Sequence, residues 1–458
     1  MSNQQQAQRG FPYLGNRDML AHPAAWRFGV EIKGILFLHV QQPGEDLDVL
    51  REQHPGVYIL PNEHSQSDYG DMGREDLAHQ LERAGVRMNR YRYDRDGAAE
   101  LLVPHPARHP DDEALVTVAE ARSLGLPHVV YRRWTMKDNA AVGINLSDIQ
   151  DHPRISNYHA FSFELVSPIL TNTEDGFREL ARIFDLLYTR ELFFNDSGGV
   201  DVHVGLDQYM IPLQVVKRIA AVSFASDITL VRYHYDQQQD NHHRYMIRNS
   251  SNVAHGLTAQ RAQASSLAQL DNTVDFANRS PPPFRIDHCV THILNAGSYG
   301  TLHKLLRRGP RRRPGQLQRP DVRAPARGAG TRPTMTVEFA QYSANMDHPD
   351  DLVAWVKVCL RLCSFAAGID DPGFVRTLTW CHNFEHHQQQ RGTTWRDLFI
   401  GFAGLEDVLD YYGRDRAGQA PGPPAAARFG RAALRRLAQR AAPRDASAST
   451  AAAASSWI

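Results

Sequence analysis

Alternating apolar and polar positions recur along the chain and predict β-strands. Residues two apart in a strand share a face, so alternation predicts one buried face and one polar face. Residues 26–40 (WRFGVEIKGILFLHV) show this pattern over the longest stretch. Shorter stretches with the same pattern are 87–96, 128–138, 157–170, 198–207 and 336–341. These segments predict a sheet with one polar face.

Other segments carry apolar residues three or four positions apart, which predicts helices. They are 74–85, 111–125, 174–192, 209–227, 350–368 and 393–412. Residues 42–74 are rich in Pro, Gly and Asp and predict a loop. Strict strand–helix–strand alternation and a Gly-rich phosphate loop are both missing from this pattern. The sequence therefore predicts an α+β fold rather than a doubly wound α/β fold.

Two arginine-rich segments differ in composition from the rest of the chain. Residues 307–332 hold nine arginines and one acid, and residues 413–458 hold eight arginines and two acids. Because the whole chain has a net charge of +0, the remainder is acidic and would repel nucleic acid. The predicted organisation is a flexible arm (1–25), a folded domain (26–412) with a disordered insertion (304–334), and a disordered tail (413–458).

The composition also predicts the cellular location of the protein. The longest apolar run, residues 34–40, is too short to cross a membrane, and the first residues lack the pattern of a secretory signal. Four cysteines are too few for a disulfide scaffold of this length. We therefore expect a cytoplasmic protein without membrane contact, and the arginine-rich tail leaves a nuclear location open.

Acidic and basic side chains on the predicted strands are the candidates for chemistry. Glu31 and Lys33 share one strand face, and Asp201 and His203 share another. Glu164 and Glu338 each lie between apolar neighbours in a strand. Carboxylates that converge on one sheet face could bind a divalent cation. The alternative is a solvated sheet face, on which Glu31 and Lys33 form an ion pair.

Two other patterns have less support as metal sites. Residues 382–386 match H-x-x-E-H, an inverted zinc-peptidase motif, but an exposed polar stretch follows directly. Cys359 and Cys363 lie four apart on an apolar helix, where buried cysteine is the more common role. We interpret the first as a chance match and the second as part of the core.

The motifs, taken in order, resemble the amidoligase family abundant in fungi, a relative of the glutamine synthetase and glutamate–cysteine ligase superfamily. The motifs are GVEIK, YRRWTMKDNA, FELVSPIL, GGVDVHVG, TVEFAQYSANMD and DLVAWVKVCLRLCSFA. The resemblance covers roughly residues 26–410 without the arginine-rich interval. It implies a curved antiparallel sheet with a concave active face and outer helices. It also implies ATP-dependent amide formation through an acyl phosphate, with Mg²⁺ at the phosphates.

The resemblance also implies roles for individual residues. The catalytic and metal-binding residues would be Glu31, Glu164, His203 and Glu338. The residues around the bound nucleotide would be Lys33, Asp138, Asp201 and Arg244. The family pattern has a glutamate at Lys33, a histidine at Asp201, an arginine at Ala340 and a histidine near Tyr342. Lys33 places a positive charge where a metal ligand belongs, and Ala340 removes a bidentate donor.

These departures leave three functions open. The first is a working ligase that joins a small or peptide carboxylate to an amine. The second is a degenerate relative that binds a nucleotide or an amino-acid-like ligand without catalysis. The third is a protein that binds polyanions or a partner through its arginine-rich segments. The interval 304–334 interrupts a connection that is ordered in the family, so it is either a drifted segment or a gene-model error. The sequence leaves the oligomeric state open.

Overall fold

The computed structural model describes most of the predicted folded domain and omits long stretches of it. The described residues are 17–54, 57–61, 69–93, 99–104, 115–117, 120, 123, 132–139, 142–144, 158–188, 192–194, 198–206, 210–234, 251–254, 256–266, 286–306, 336–343 and 349–391. The predicted helix 393–412, the predicted tail and Arg244 lie outside the described residues.

The described strands are β1 (Arg27–Val40), β2 (Tyr58–Leu60), β3 (Arg90–Tyr93), β4 (Ala99–Pro104), β5 (Leu115–Thr117), β6 (Thr135–Lys137), β7 (His159–Val166), β8 (Leu170–Thr171), β9 (Leu192–Phe193), β10 (Gly199–Gly205) and β11 (Thr336–Ser343). Strands β1, β3, β6, β7, β10 and β11 lie in or overlap the alternating segments of the sequence, whereas β2, β4, β5 and β9 lie outside them.

The helices lie between and after these strands. They are α1 (Arg17–Ala21), α2 (Leu47–Gln53), α3 (Tyr69–Arg83), α4 (Glu174–Tyr188), α5 (Leu213–His234), α6 (Ala259–Ala264), α7 (Ile286–Leu294), α8 (Tyr299–Leu306), α9 (Pro349–Gly368) and α10 (Asp371–Arg391). A single 3₁₀ turn, Pro23–Ala25, precedes β1.

The main sheet is open and mostly antiparallel, which confirms the α+β prediction. Its strand order is β11-β10-β1-β7-β6, and β2, β8 and β9 pair with parts of the long strand β1. Among the described strand pairings of this sheet only β1–β2 is parallel, and an isolated parallel bridge joins Met88 to Trp134. A small separate sheet has the order β3-β4-β5. The long strand β1 therefore has β10 and β7 as its two principal neighbours.

One face of the main sheet forms the hydrophobic core. Val200, Val202 and Val204 alternate onto this face and are fully buried. Helices α4 and α9 and the long helix α5 contribute the other side of this core, where Trp355 of α9 is fully buried. Burying so much apolar area stabilises the layer of helices on the sheet. The opposite face of β10 and β1 is left for polar side chains.

A second, smaller core covers part of the opposite face. Ile35 and Phe37 of β1 pack there with Leu50 of α2, Ile59 of β2 and Val142. Leu50 and Ile59 lie in the region 42–74 that was predicted as a loop, so part of this prediction was wrong. Helix α2 is preceded by Asp46, whose side chain accepts hydrogen bonds from two backbone amides. The small core leaves the beginning of β1, up to Lys33, for the polar residues.

Three sequence predictions differ from the structure. Residues 115–117 form a strand within the predicted helix 111–125, because Val116 pairs with the buried Val103 of β4. Part of the predicted flexible arm is helical, since Leu20 is buried and accepts a hydrogen bond from Trp26 Nε1 at 2.8 Å. Helix α8 extends through Leu306, so the first three residues of the interval 304–334 belong to a helix. The rest of the interval lies outside the described residues.

No helix within the described ranges is long and apolar enough to cross a membrane.

Candidate functional site

The predicted site residues meet on the polar face of the main sheet. Directly paired residues of neighbouring strands lie on the same face. The register pairs Glu31 with Asp201, Lys33 with Glu164, Glu164 with Lys137, and His203 with Glu338. We call these seven residues the polar-face cluster. It spans five strands that come from distant parts of the chain.

Lys33 lies at the centre of the cluster and bridges two carboxylates. Its ammonium group donates a hydrogen bond to Asp201 Oδ2 and lies 3.3 Å from Glu31 Oε2. The Lys33 and Asp201 side chains are only 17% and 9% exposed. Burial alone would lower the pKa of Lys33, but the charges of Asp201 and Glu31 raise it above its usual value. Lys33 therefore keeps its positive charge between the two carboxyl groups.

Glu31 binds a second cation through its other oxygen. Its Oε1 lies 3.4 Å from His203 Nε2, and His203 Nδ1 lies 3.3 Å from the Thr336 hydroxyl. Burial opposes ionisation of Glu31, but the hydrogen bond and charge of His203 and the charge of Lys33 hold its pKa well below the usual range. Burial likewise opposes protonation of His203, yet the hydrogen bond to Glu31 and the charge of Glu338 raise its pKa. Each group therefore favours the charged form of the other.

Glu164 behaves in the opposite way to Glu31. Asn139 Nδ2 donates a hydrogen bond to Glu164 Oε2 at 2.7 Å. Burial and the charge of Glu31 raise the pKa of Glu164, while Lys33 and Lys137 act against this shift. Glu164 therefore holds its proton to a higher pH than an ordinary glutamate, a property that general acid–base chemistry uses.

Glu338 of β11 completes the cluster beside His203. Its side chain is 5% exposed. The β10–β11 ladder is irregular between Val200 and Val202, where Ala340 and Gln341 of β11 face the single residue Asp201. A bulge of this kind changes the direction of the residues it contains. Ala340, where the resemblance predicts an arginine, therefore lies in an irregular part of β11.

Two residues predicted at the site are not placed in the cluster. Asp138 is 59% exposed and pairs with Arg74 of α3 at 3.2 Å, and it accepts a hydrogen bond from the Ser162 hydroxyl at 2.8 Å. These contacts hold the end of β6 against α3. Arg244 lies outside the described residues, so its predicted role stays a prediction.

The sequence reasoning missed the two residues on either side of Asp138. Lys137 pairs with Glu164 in register, and Asn139 donates a hydrogen bond to the Glu164 carboxylate. Within the described residues the Lys137 side chain forms no hydrogen bond and no ion pair within 4.0 Å, although its charge acts on Glu31 and Glu164. The signal was available, because alternation in the run TMKDN places residues 137 and 139 on one face and residue 138 on the other.

Carboxylate oxygens are suitable ligands for Mg²⁺ in their chemistry, but their arrangement here does not fit the ion. The Lys33 ammonium already bridges Glu31 and Asp201. In the described part of the chain, no group of three or more His, Cys, Asp or Glu side chains is arranged to hold a metal ion. A resident Mg²⁺ at this position would have to displace Lys33.

Comparison with known proteins gives one match. A family model described as putative amidoligase enzyme matches residues 75–304, which is half of the chain. The matched range includes Glu164, Asp201 and His203, whereas Lys33 precedes it and Glu338 follows it. Neither the curated proteins nor the solved structures include a match to the chain.

Proposed function

The chain belongs to the family of putative amidoligase enzymes, and we propose that it joins a carboxylate to an amine with ATP as co-substrate. The substrate carboxylate attacks the γ-phosphorus of ATP, ADP leaves, and an acyl phosphate forms. The amine then attacks the acyl carbon, inorganic phosphate leaves, and the nitrogen loses one proton. ATP would enter as its magnesium complex, so this metal ion belongs to the co-substrate.

The observation that carries the proposal is the alignment of Lys33, Glu164 and Lys137 across three adjacent strands. Glu164 lies between the two lysines and, in its ionised form, would accept the proton that the attacking amine releases. Its raised pKa makes Glu164 a stronger base than an ordinary glutamate, which suits that task. Lys137, whose side chain forms no ion pair within 4.0 Å in the described residues, would bind the oxygens of the transferring phosphoryl group.

The arrangement of the sheet and helices also supports a ligase-like function. An open, mainly antiparallel sheet has helices on one face and the polar-face cluster on the other. We propose a glutamine synthetase-like arrangement, in which the substrates bind on this polar face. The small core around Ile35 and Phe37 would form one wall of the binding site.

A specific observation favours a second function, namely ligand binding without catalysis. Lys33 is already neutralised by Asp201 and Glu31 and offers little charge to a phosphate. A degenerate family member with this arrangement would bind a nucleotide or an amino-acid-like ligand and release no ADP.

The test is ADP release by the purified full-length chain with magnesium, ATP and mixtures of amines and carboxylates. An ¹⁸O-labelled carboxylate should transfer one ¹⁸O to inorganic phosphate if an acyl phosphate forms. The Glu164→Gln variant should lose about 100-fold in turnover, because it cannot accept a proton. The Asp138→Asn variant is the matched control, since Asp138 lies outside the cluster.

The two functions predict different results. ADP release with ¹⁸O transfer supports the ligase. Saturable ATP binding in a thermal-shift titration, without ADP release from any mixture, supports the binding protein. A folded sample that neither binds nor cleaves ATP contradicts both.

A further inference from the structure

Lys33 occupies a position whose surroundings are those of a bound cation. Its ammonium group contacts oxygens of two carboxylates, Asp201 on β10 and Glu31 on its own strand. A third carboxyl group, Glu164, faces Lys33 directly across the β1–β7 pairing. All three groups lie on one sheet face, and the Asp201 side chain is 9% exposed. This is an arrangement of oxygen ligands around a positive charge that belongs to the chain itself.

We propose that Lys33 is a built-in cation that takes the place of a divalent ion between Glu31 and Asp201. The three carboxyl groups would repel one another without a positive charge among them. The ammonium group supplies a charge of one unit, whereas a divalent ion supplies two. Because the lysine is part of the chain, this charge cannot dissociate from the site. The polar face therefore keeps its geometry in the absence of any divalent ion.

The surrounding strands explain why the lysine reaches this position. Lys33 and Glu31 are two residues apart on β1 and therefore share a face. Asp201 lies opposite Glu31 in the register, so the Lys33 side chain crosses diagonally from β1 to β10. Such diagonal neighbours lie within reach of a long side chain. A shorter residue at position 33 would leave both carboxylates without this partner.

The inference predicts that removal of the lysine charge creates a divalent-cation site. In Lys33→Gln, the carboxylates of Glu31 and Asp201 remain and their repulsion is relieved by an added ion. The probe is Mn²⁺ alone, without nucleotide, measured by electron paramagnetic resonance and calorimetry on the full-length chain. We expect Lys33→Gln to bind one Mn²⁺ with an affinity about tenfold or more above that of the unmodified chain.

Two variants serve as controls. Lys137→Gln removes a lysine from the same face without breaking an ion pair of the described residues, so its Mn²⁺ affinity should rise much less than that of Lys33→Gln. Lys33→Gln combined with Asp201→Asn should lose the gained site. The melting temperature of Lys33→Gln should rise on addition of Mn²⁺ or Mg²⁺, whereas that of the unmodified chain should not.

If Lys33→Gln fails to fold, Mn²⁺ binding by the unmodified chain still tests the inference. Stoichiometric Mn²⁺ binding by the unmodified chain at micromolar concentration, lost in Asp201→Asn, would overturn the inference. So would a folded Lys33→Gln variant that gains no Mn²⁺ binding. These measurements use no ATP and no turnover, so they can fail or succeed independently of the proposed ligase activity.

Discussion

Glu31 and Glu164 are neighbours on one sheet face, yet their pKa values are shifted in opposite directions. Glu31 binds both His203 and Lys33, and its pKa falls well below the usual range. Glu164 accepts a hydrogen bond from the neutral amide of Asn139, and burial and the charge of Glu31 raise its pKa. Two carboxyl groups with separated pKa values are a common basis for assigning acid–base roles. The lowered pKa of Glu31 and the raised pKa of Glu164 are the reason that the proposed function assigns proton transfer to Glu164.

The ion pair between Lys33 and Asp201 should contribute measurably to stability. Asp201→Asn leaves a mostly buried ammonium with weaker partners, which should lower the free energy of unfolding by about 3 kcal/mol. The matched control is Asp175→Asn, which removes the exposed pair with Arg178 and should cost about 0.5 kcal/mol or less. Urea unfolding at neutral pH measures both values. Equal effects of the two variants would mean that Lys33 is well solvated in solution.

The pair of Glu31 and His203 should make stability depend on pH. Because the pKa of His203 is raised above 6.5, its contribution is complete below pH 6.5 and is lost as the pH rises through the folded-state value. Because the pKa of Glu31 is lowered from 4.5, its contribution is complete above pH 4.5 and is lost as the pH falls. The stability difference between the unmodified chain and His203→Gln should therefore be largest near pH 5.5 and shrink toward alkaline pH.

Urea midpoints at several pH values test this dependence. The control is His79→Gln, because His79 is half exposed and its pair with Glu82 is screened by water. The urea midpoint of His79→Gln should change with pH in the same way as that of the unmodified chain. A difference for His203→Gln that grows toward alkaline pH would contradict the predicted sign.

Gly34 should tolerate no side chain, because β1 passes close to two aromatic rings there. A Cβ at this position would lie 2.7 Å from Phe194 Cε1 and 2.9 Å from the Phe163 ring. Gly34→Ala should therefore destabilise the protein by about 1–3 kcal/mol through overpacking. Gly143→Ala is the control, since nothing lies within 4 Å of its added Cβ. Thermal unfolding compares them, and a fully stable Gly34→Ala would show that the rings move aside.

Lys137 should bind the anionic part of the nucleotide if the proposed function holds. Lys137→Gln should weaken ATP binding about tenfold and reduce its dependence on salt, because one positive charge is removed. Lys357→Gln is the control, since Lys357 lies on α9 and pairs with Glu174 at 3.9 Å. Titration calorimetry at two salt concentrations gives both quantities. Equal ATP affinities of the two variants would show that Lys137 does not contribute to ATP binding.

Local periodicity was sufficient for the long elements of the fold. The alternation in 26–40 predicted β1, and helical spacing predicted α3, α4, α5 and α9, because each element buries one continuous apolar face. It failed for residues 115–117, where the partner strand β4 decides the structure of a short segment. Short elements bury too little area for their own pattern to be decisive.

Within the site, the sequence determined which residues share a strand face, and it placed Glu31 with Lys33 and Asp201 with His203. Those assignments follow from the two-residue repeat of a strand, which is local. Only the tertiary structure decided that β1 lies between β10 and β7, and therefore that Lys33 meets Asp201 and Glu164. The charge state of each group depends on neighbours more than a hundred residues away in the chain, because Coulomb interactions and burial act over a few ångströms of space rather than over sequence.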